Sequence, residues 1–241
     1  MTLDDLLEGL FSQHGNISRQ GGVLTGQAKL KNGGTAEIVG VYDSTPLGVD
    51  EAIRLSQRVL NTLVQGNKYP ILVLVDSGSQ RMSKRDELLG VNEFLSHLAK
   101  CLIWGDIQGH HTLGVVYGSS IAGAIIVTAL ATSDLLAVPG AKPQVMDLPS
   151  MSKVTKLPLE VLTEKSKSTP VFAPGVDNMF KTGAVLEICK DVTALAEKIA
   201  GLLGASTDPK DTRDQLGKER GGRPKAVDVA RRVHDLVRSA S

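Results

Sequence analysis

The sequence predicts an α/β protein with a largely parallel sheet and crossover helices. The run Ile71–Val75 is wholly apolar, which is typical of a strand buried on both faces. A unit of strand, small-residue loop and helix begins there and recurs from Thr112, as expected for parallel strands joined by helices. With 241 residues and 41% hydrophobic content, the chain is long and apolar enough to bury a core.

Charge and composition exclude several classes of protein. The net charge is +1, so no overall field draws the chain to nucleic acid or to an anionic membrane. No apolar run reaches the length of about 18 residues that indicates a membrane span. Because the segment Met1–Asp5 is acidic and starts no long apolar run, we expect no signal peptide and a cytoplasmic protein. Cys101 and Cys189 form neither a disulfide framework nor a zinc pattern.

The elements are predicted in order from the N-terminus. A short leader over residues 1–20 contains a helix, and two strands, Val23–Leu30 and Thr35–Asp43, form a hairpin around an Asn-Gly-Gly turn. Asp50 is placed to cap a helix that runs to about Val64. The elements expected next are the strand Ile71–Val75, a loop over 76–81, a helix from about Lys84 to Leu102, the strand Thr112–Tyr117, a glycine-rich turn, an apolar helix through Ala131, and the strand Leu135–Val138.

The C-terminal part of the chain is less regular. Prolines beyond Lys142 predict short helices, followed by a last strand, Ala184–Cys189, and a helix over about 192–203. We expect residues 1–204 to form one domain and residues 205–241 to form a linker and a C-terminal amphipathic helix. The apolar stripe of that helix needs its own domain or a partner subunit to pack against. It consists of Val227, Ala230, Val233, Leu236 and Val237.

The most informative segment is the glycine-rich turn that begins at Gly118. Small residues let the backbone approach a ligand closely, and amides at the start of the following helix point toward it. Gly123 and Ala124 stand where such amides could stabilise an oxyanion, and Gly118, Ser119 and Ser120 are candidates to line the substrate. The alternative is that glycine serves only close packing of helix against strand.

A second loop of small residues follows the strand Ile71–Val75. Parallel strands end at one edge of the sheet, where ligands bind in open α/β folds. Gly78 and Ser79 in this loop could therefore supply a second amide beside Gly123. Neither loop has the lysine of a phosphate-binding loop or the dinucleotide glycine pattern, so we expect no bound nucleotide.

Other polar residues are weaker candidates for chemistry. Neighbouring side chains in a strand point to opposite faces, so His110 and His111 are poorly placed to share a metal, and we expect no metal site. One of the two could still reach the pocket. Ser119 or Ser120 as a nucleophile needs a base that the sequence does not locate. Asp76 is interpreted as a hydrogen-bond acceptor that fixes its loop.

These segments carry a family resemblance. The order of strand, Asp76-Ser77-Gly78, helix, strand, Gly118 through Ala124, helix, and Ser133 through Val138 resembles the crotonase superfamily. Within it, the chain is similar to carboxyltransferase subunits of biotin-dependent enzymes. Over its whole length it resembles the gamma subunits of biotin-independent malonate decarboxylase. The resemblance implies a spiral of repeated ββα units with oxyanion amides at Gly123, beside Ala124, and at Gly78 and Ser79.

Positions at which this chain departs from the superfamily's residue pattern limit the reactions that it could catalyse. A hydratase of this fold carries a glutamate just inside the helix after the glycines, where this chain has Ala124, Ile125 and Ile126. A protease of this fold places serine two residues before the matching glycine, where this chain has Ile121. A stand-alone acyl-CoA hydratase or isomerase therefore loses support, although it stays an alternative. Chemistry that depends on stabilising an enolate does not lose support.

The resemblance also implies a reaction and its partners. It implies decarboxylation of malonyl-S-acyl carrier protein to acetyl-S-acyl carrier protein and CO2, with no cofactor bound directly to this chain. The substrate would be carried on the phosphopantetheine-like prosthetic group of a delta, acyl-carrier subunit. The other implied partners are a beta subunit of the same fold and an alpha, acyl-carrier transferase subunit. A non-catalytic scaffold that binds the acyl carrier is the alternative from another class.

Overall fold

A computed structural model describes residues 1–204 and 211–239 of the chain. Its strands are β1 Phe11–Gln13, β2 Ile17–Gln20, β3 Val23–Leu30, β4 Thr35–Leu47, β5 Ile71–Gln80, β6 Thr112–Val116, β7 Ser119–Ile121, β8 Asp134–Ala137, β9 Lys142–Gln144 and β10 Glu187–Ile188. Its α-helices are α1 Leu3–Leu10, α2 Val49–Val64, α3 Lys84–Leu89, α4 Val91–Ile107, α5 Gly123–Val127, α6 Leu148–Thr155, α7 Leu159–Ser168, α8 Val176–Lys181, α9 Val192–Gly204, α10 Arg213–Glu219 and α11 Ala226–Ser239. Short 3-10 helices span Ala129–Ala131 and Pro170–Phe172. No helix in the described ranges has both the length and the apolar character needed to cross a bilayer.

The main sheet has the strand order β1-β3-β4-β5-β6-β8-β10, and β2 pairs with β3 outside this path. The pairs from β4 through β5, β6 and β8 to β10 are parallel, whereas β3 and β4 form an antiparallel hairpin. A separate two-stranded sheet joins β7 and β9. The predicted hairpin and the predicted parallel sheet with crossover helices are both confirmed.

Two hydrophobic cores lie on opposite faces of the sheet. Val73 and Val75 of β5 belong to the core that includes Leu55 of α2 and Leu98 of α4. Leu72 and Leu74 belong to the other core, beneath α1 and α9. Successive strand residues point to opposite faces, and both faces are covered here. This double burial is the reason for the unbroken apolar run in the sequence.

The strands beside the candidate site are longer than predicted. The expected loop from Asp76 is wrong, because β5 continues to Gln80 and pairs with β4 through Ser77 opposite Thr45. The predicted cap at Asp50 is also wrong. The N-cap of α2 is Gly48, whose amide donates to the Glu51 carboxylate at 2.9 Å. A carboxylate in the first turn thus does the capping, from a position one residue later than expected.

The helix expected from Lys84 to Leu102 is two helices, and the second of them, α4, extends to Ile107. The break is at Gly90, which has φ of +79° and so ends α3 in a conformation that glycine adopts easily. The apolar helix expected after the glycine-rich turn is also divided, into α5 and the 3-10 helix Ala129–Ala131. The last strand covers only Glu187–Ile188 of the range expected.

Asp86 joins the start of α3 to the start of α2. Its side chain is buried and accepts hydrogen bonds from the Ser83 hydroxyl and from the Val49 amide. These bonds, that from Ser83 foremost, lower the pKa of the Asp86 carboxyl below its ordinary value. The carboxylate thus stabilises the fold in its charged form.

The segment expected as a linker is attached to the domain where the structure describes it. Residues 205–210 lie outside the described residues, but α10 follows them and three arginines hold this region in place. Arg213 donates to the carbonyl of Leu130 at 3.0 Å, and Arg223 Nε donates to that of Thr182 at 2.9 Å. Arg220 donates to three backbone carbonyls and lies 3.7 Å from the centre of the Phe180 ring. The predicted C-terminal amphipathic helix is present as α11, and its described residues are largely exposed.

Candidate active site

The structure brings the two predicted small-residue segments together. The end of β5 lies beside β7 and the start of α5. The hydroxyls of Ser77 and Ser120 are 3.1 Å apart, and the amide of Gly123 donates to Gln80 Oε1 at 3.0 Å. The first segment is the carboxyl end of β5 itself and the second follows the carboxyl end of β6, so both lie at the edge of the sheet where the sequence predicts a ligand site.

Asp76 holds the start of the Gly118–Ala124 segment in place. Its carboxylate accepts from the Ser119 amide at 2.8 Å and from the Ser44 hydroxyl at 3.0 Å. A Cβ atom at Gly118 would lie 2.3 Å from the Asp76 carboxyl carbon, so this approach requires glycine. Asp76 is therefore an acceptor that fixes the local backbone, as interpreted from the sequence. Ser119 and Ser120 belong to strand β7 and not to the turn predicted for them.

The backbone before Gly123 is unusual. Ala122 has φ of +53° and ψ of −131°, a conformation that favours glycine, and its amide donates to the Gln144 carbonyl at 2.9 Å. Gly123 itself is outside the left-handed region. Because α5 has only five residues, the dipole of a long helix contributes less here than the sequence suggests. The direction of the Gly123 N–H bond is thus set mainly by the turn.

Gln80 is the residue at this site that sequence reasoning missed. Its side-chain oxygen is the acceptor for the Gly123 amide, and an added Cβ at Gly123 would meet that oxygen at 3.1 Å. The sequence signal was only its position next to Gly78 and Ser79. Nothing in the local pattern indicates that a residue 43 positions earlier faces Gly123.

The other predicted residues occupy different surroundings. An added Cβ at Gly78 would lie 2.9 Å from the Ser44 carbonyl oxygen, so β4 passes very close to this glycine. The Ser79 hydroxyl donates to the Gln80 carbonyl at 2.9 Å. Ala124 is fully buried in the core shared with α4. Only the backbone of Ala124, and not its side chain, is therefore a candidate for contact with substrate.

The candidate nucleophiles Ser120, Cys101 and Cys189 lack activation. Within residues 1–204 and 211–239, the Ser120 hydroxyl is paired with Ser77 and with no histidine or carboxylate. Burial raises the pKa of the Cys189 thiol to about 11, and burial also raises that of Cys101. Both thiols therefore stay protonated at neutral pH and are poor nucleophiles. Burial likewise raises the pKa of Tyr117 above its ordinary value, so its phenol stays neutral.

The two histidines have separate partners. His110 is buried and donates from Nδ1 to the Tyr69 carbonyl at 2.9 Å, whereas His111 Nε2 lies 2.7 Å from Asp134 Oδ2. Across the part of the chain that the structure describes, no group of three or more His, Cys, Asp or Glu side chains is arranged to hold a metal ion. Absence of a bound metal stays a prediction for elemental analysis.

Sequence comparisons identify relatives of this chain. A sequence model of the malonate decarboxylase gamma subunit family matches residues 43–237. Among curated proteins, the chain is 29% identical over 196 residues to the malonyl-S-ACP:biotin-protein carboxyltransferase MADD of Malonomonas rubra. That match covers 73% of this chain and 67% of the relative.

Structural comparisons support the predicted fold. A chain of a Pseudomonas malonate decarboxylase hetero-tetramer in complex with coenzyme A matches with a TM-score of 0.75 and 21% identity, over 93% of this chain and 94% of that one. A chain of the Pseudomonas MdcD-MdcE hetero-dimer matches with a TM-score of 0.73 and 19% identity over the full length of both. Transcarboxylase 12S matches with a TM-score of 0.69 and 16% identity over 87% of this chain and 42% of that one. These matches confirm the crotonase-like, carboxyltransferase-like fold predicted from the sequence.

Proposed function

This chain belongs to the malonate decarboxylase gamma subunit family, and from that premise we propose that it helps convert malonyl-S-acyl carrier protein into acetyl-S-acyl carrier protein and CO2. One observation carries the mechanism. The Gly123 amide, at the turn after β7, is bonded to a neutral side-chain oxygen of Gln80 at 3.0 Å. An amide whose present acceptor is a movable side chain can donate instead to a substrate oxygen.

The reaction needs charge stabilisation at one oxygen. Loss of CO2 breaks the bond between the malonyl carboxylate and the α-carbon, and the electron pair delocalises onto the thioester oxygen as an enolate. The α-carbon then takes a proton and becomes the acetyl methyl group. A backbone amide aimed at the enolate oxygen stabilises the developing charge without a charged side chain, and one such donor is worth about 100-fold or more in rate.

The Gln80 contact favours the transition state over the ground state. A neutral thioester carbonyl competes with the neutral Gln80 carboxamide on nearly equal terms, because the net strength of either hydrogen bond is about 1 kcal/mol. A developing enolate is charged, and charge-assisted hydrogen bonds are roughly twice as strong. The Gly123 amide therefore changes acceptor most readily as charge develops, which is the differential binding that catalysis requires.

The remaining parts of the site are assigned to neighbours of Gly123 and to partner subunits. We assign the second amide to Gly78 or Ser79, with Gly118, Ser119 and Ser120 lining the substrate. A beta subunit of related fold covers the other side of the pocket and supplies the proton donor. The delta subunit presents the malonyl group on its phosphopantetheine-like arm, and the alpha subunit loads that carrier. The MdcD-MdcE hetero-dimer in Pseudomonas is the precedent for pairing with a beta subunit.

A second candidate is a non-catalytic scaffold that shapes the beta subunit. The same Gln80 contact favours it, since the Gly123 amide already has an acceptor within the chain. Carboxyl transfer to biotin is a further variant of the catalytic proposal, because the Malonomonas rubra relative is named for that reaction. Both carboxyl transfer and decarboxylation begin with the same cleavage to an enolate, so the role of Gly123 is common to them.

The test uses the complex of this chain with its beta, delta and alpha subunits. CO2 release from malonyl-carrier is measured with the complete complex, with the complex lacking this chain, and with free biotin added. We expect co-elution with the beta subunit in size-exclusion chromatography and loss of turnover when this chain is omitted. Full turnover by a beta subunit that elutes separately would overturn the proposal. If the Gly123→Val complex assembles normally and its turnover is unchanged, the non-catalytic scaffold is the candidate function that remains.

A further inference from the structure

The outer faces of α2 and α4 carry large apolar side chains that are exposed to solvent. Val64, at the end of α2, is 87% exposed, and Trp104 and Ile107 of α4 are 52% and 65% exposed. Ile103 and Leu60 on the same two helices are exposed as well. Scattered apolar residues are normal on a protein surface, but large ones grouped in one patch usually mark an interaction site. Whether these residues form one patch therefore decides their meaning.

The last turns of α2 and α4 lie against each other. The two helices pack side by side over the same face of the sheet. Lys68, just after α2, donates to the carbonyl of Gln108, just after α4. A Cβ atom at Gly105 would lie 3.6 Å from Leu63 Cδ2, so the two last turns are in contact. The exposed apolar residues on and beside these turns thus form one surface, the α2–α4 patch, which consists of Leu60, Val64, Ile103, Trp104 and Ile107.

The α2–α4 patch lies at the edge of the sheet opposite the candidate active site. α2 leads into the amino end of β5 at Ile71, and α4 leads into the amino end of β6 at Thr112. The candidate site lies at the other end of β5, at Gln80, and a strand of this length spans about 30 Å. A molecule bound to the patch would therefore leave the site open to substrate and to a beta subunit.

The size of the α2–α4 patch suits a dimer. A large side chain exposes about 200 Å² when it is fully in solvent. The five members are between 38% and 87% exposed, so together they present about 500 Å² of apolar surface. A stable homodimer buries about 800 Å² on each copy, about 65% of it apolar, which is also about 500 Å². The patch thus matches the apolar part of one such interface.

The charges beside the patch favour a second copy over a strongly charged partner. Lys100 is exposed on α4, and Asp106 follows on the same helix and is partly exposed. Neither forms an ion pair with any residue of the described ranges 1–204 and 211–239. An acidic partner would match only the lysine and a basic partner only the aspartate. A twofold interface offers an aspartate for each lysine, because every contact in it occurs twice.

We propose that the α2–α4 patch joins two copies of this chain about a twofold axis, so that the complexes containing them are paired. Tryptophan is enriched among the few residues that supply most of the binding energy of an interface, and Trp104 is assigned that role here. The proposal does not depend on the reaction, and it holds equally if the chain is a non-catalytic scaffold.

The test measures mass by sedimentation equilibrium, for the full chain alone and for its complex with the beta subunit, across a range of concentrations. We expect wild type to reach twice the mass of one chain or of one complex. Val64→Lys and Trp104→Ala should each weaken self-association about 30-fold or more, the effect of losing one central interface residue. Val154→Lys is the matched control, because Val154 is also an exposed helical valine, on α6, and lies outside the patch.

The fluorescence of Trp104 gives a second measurement, because the sequence contains no other tryptophan. On dilution of the wild-type chain, the emission should shift to longer wavelength as the dimer dissociates and Trp104 meets water. In Val64→Lys the emission should be that of an exposed tryptophan at every concentration. Its thermal melt and the CO2 release of its complex should match wild type, because the patch is remote from Gly123.

Three results would overturn the proposal. The first is a wild-type chain and complex that each sediment with a single copy at every concentration. The second is an equal loss of self-association in Val154→Lys, which would show that the added charge matters and its position does not. The third is loss of the beta subunit from Val64→Lys and Trp104→Ala, which would assign the patch to that subunit.

Discussion

Gly123→Val tests the proposed oxyanion donor. The added Cβ would lie 3.1 Å from Gln80 Oε1 and 3.5 Å from its Cδ, so the flexible end of Gln80 has to move by a few tenths of an ångström. Gly123 does not have a left-handed backbone conformation, so valine is not excluded by φ. The fold should therefore persist, while the branched side chain covers the approach to the amide. We expect kcat to fall by about 100-fold or more, equivalent to about 3 kcal/mol, the cost of losing one oxyanion donor.

The assay is CO2 release from malonyl-carrier by each purified complex, with a thermal melt to check folding. Gly123→Ala serves as the graded control and should lose less, because a methyl group covers less of the amide. Ser119→Ala and Ser120→Ala should each lose less than tenfold, since neither hydroxyl is assigned as nucleophile or base. If a serine variant is inactive and Gly123→Val is near wild type, covalent catalysis replaces the enolate mechanism.

Three further predictions concern stability. Ala122→Gly should raise the unfolding free energy by about 1 kcal/mol, because the relief of backbone strain exceeds the entropic cost of glycine. The control Ala99→Gly, within α4, should lower the unfolding free energy. If urea unfolding shows that both variants lose the same stability, this prediction is wrong. Arg220→Gln should lower the unfolding free energy by about 2 kcal/mol through the loss of charged bonds to carbonyls and should expose the C-terminal segment to protease, unlike Arg231→Gln. Asp86→Asn should destabilise at neutral pH, and its difference from wild type should shrink as pH falls below the ordinary carboxyl value of 3.8. A carboxyl group whose pKa is lowered by folding stabilises the fold only while it is ionised, so the stability difference disappears in acid. A stability difference that stays constant across an acid titration would refute this prediction.

Elements that depend on local pattern were predictable from the sequence. The apolar run from Ile71 indicated a strand buried on both faces, and two cores on either side of the sheet explain why it is unbroken. The hairpin around Asn32 and Gly33 followed from turn chemistry. Motif order indicated the superfamily fold, and likeness over the whole chain indicated the family that the sequence model matches.

Errors occurred where long-range pairing overrides local signals. Ser77, Gly78 and Ser79 read as a loop, yet β4 bends alongside them and continues the strand pairing. The segment from Arg213 to Arg223 reads as a charged linker, but its arginines bind carbonyls of residues about 40 to 80 positions earlier. From composition alone, such arginines are expected to be exposed to solvent. Only the folded structure shows the backbone carbonyls to which their guanidinium groups donate.

The backbone at Ala122 connects these observations to function. A non-glycine residue at φ of +53° and ψ of −131° costs on the order of 1 to 3 kcal/mol, and glycine, the residue that would relieve it, stands immediately after it in the chain. The strained conformation joins β7 to α5 within one residue, while the Ala122 amide stays bonded to Gln144. The next amide, that of Gly123, donates to the Gln80 side chain. Strained residues cluster at functional sites, so this outlier beside Gly123 supports the proposal that the Gly123 amide is an oxyanion donor.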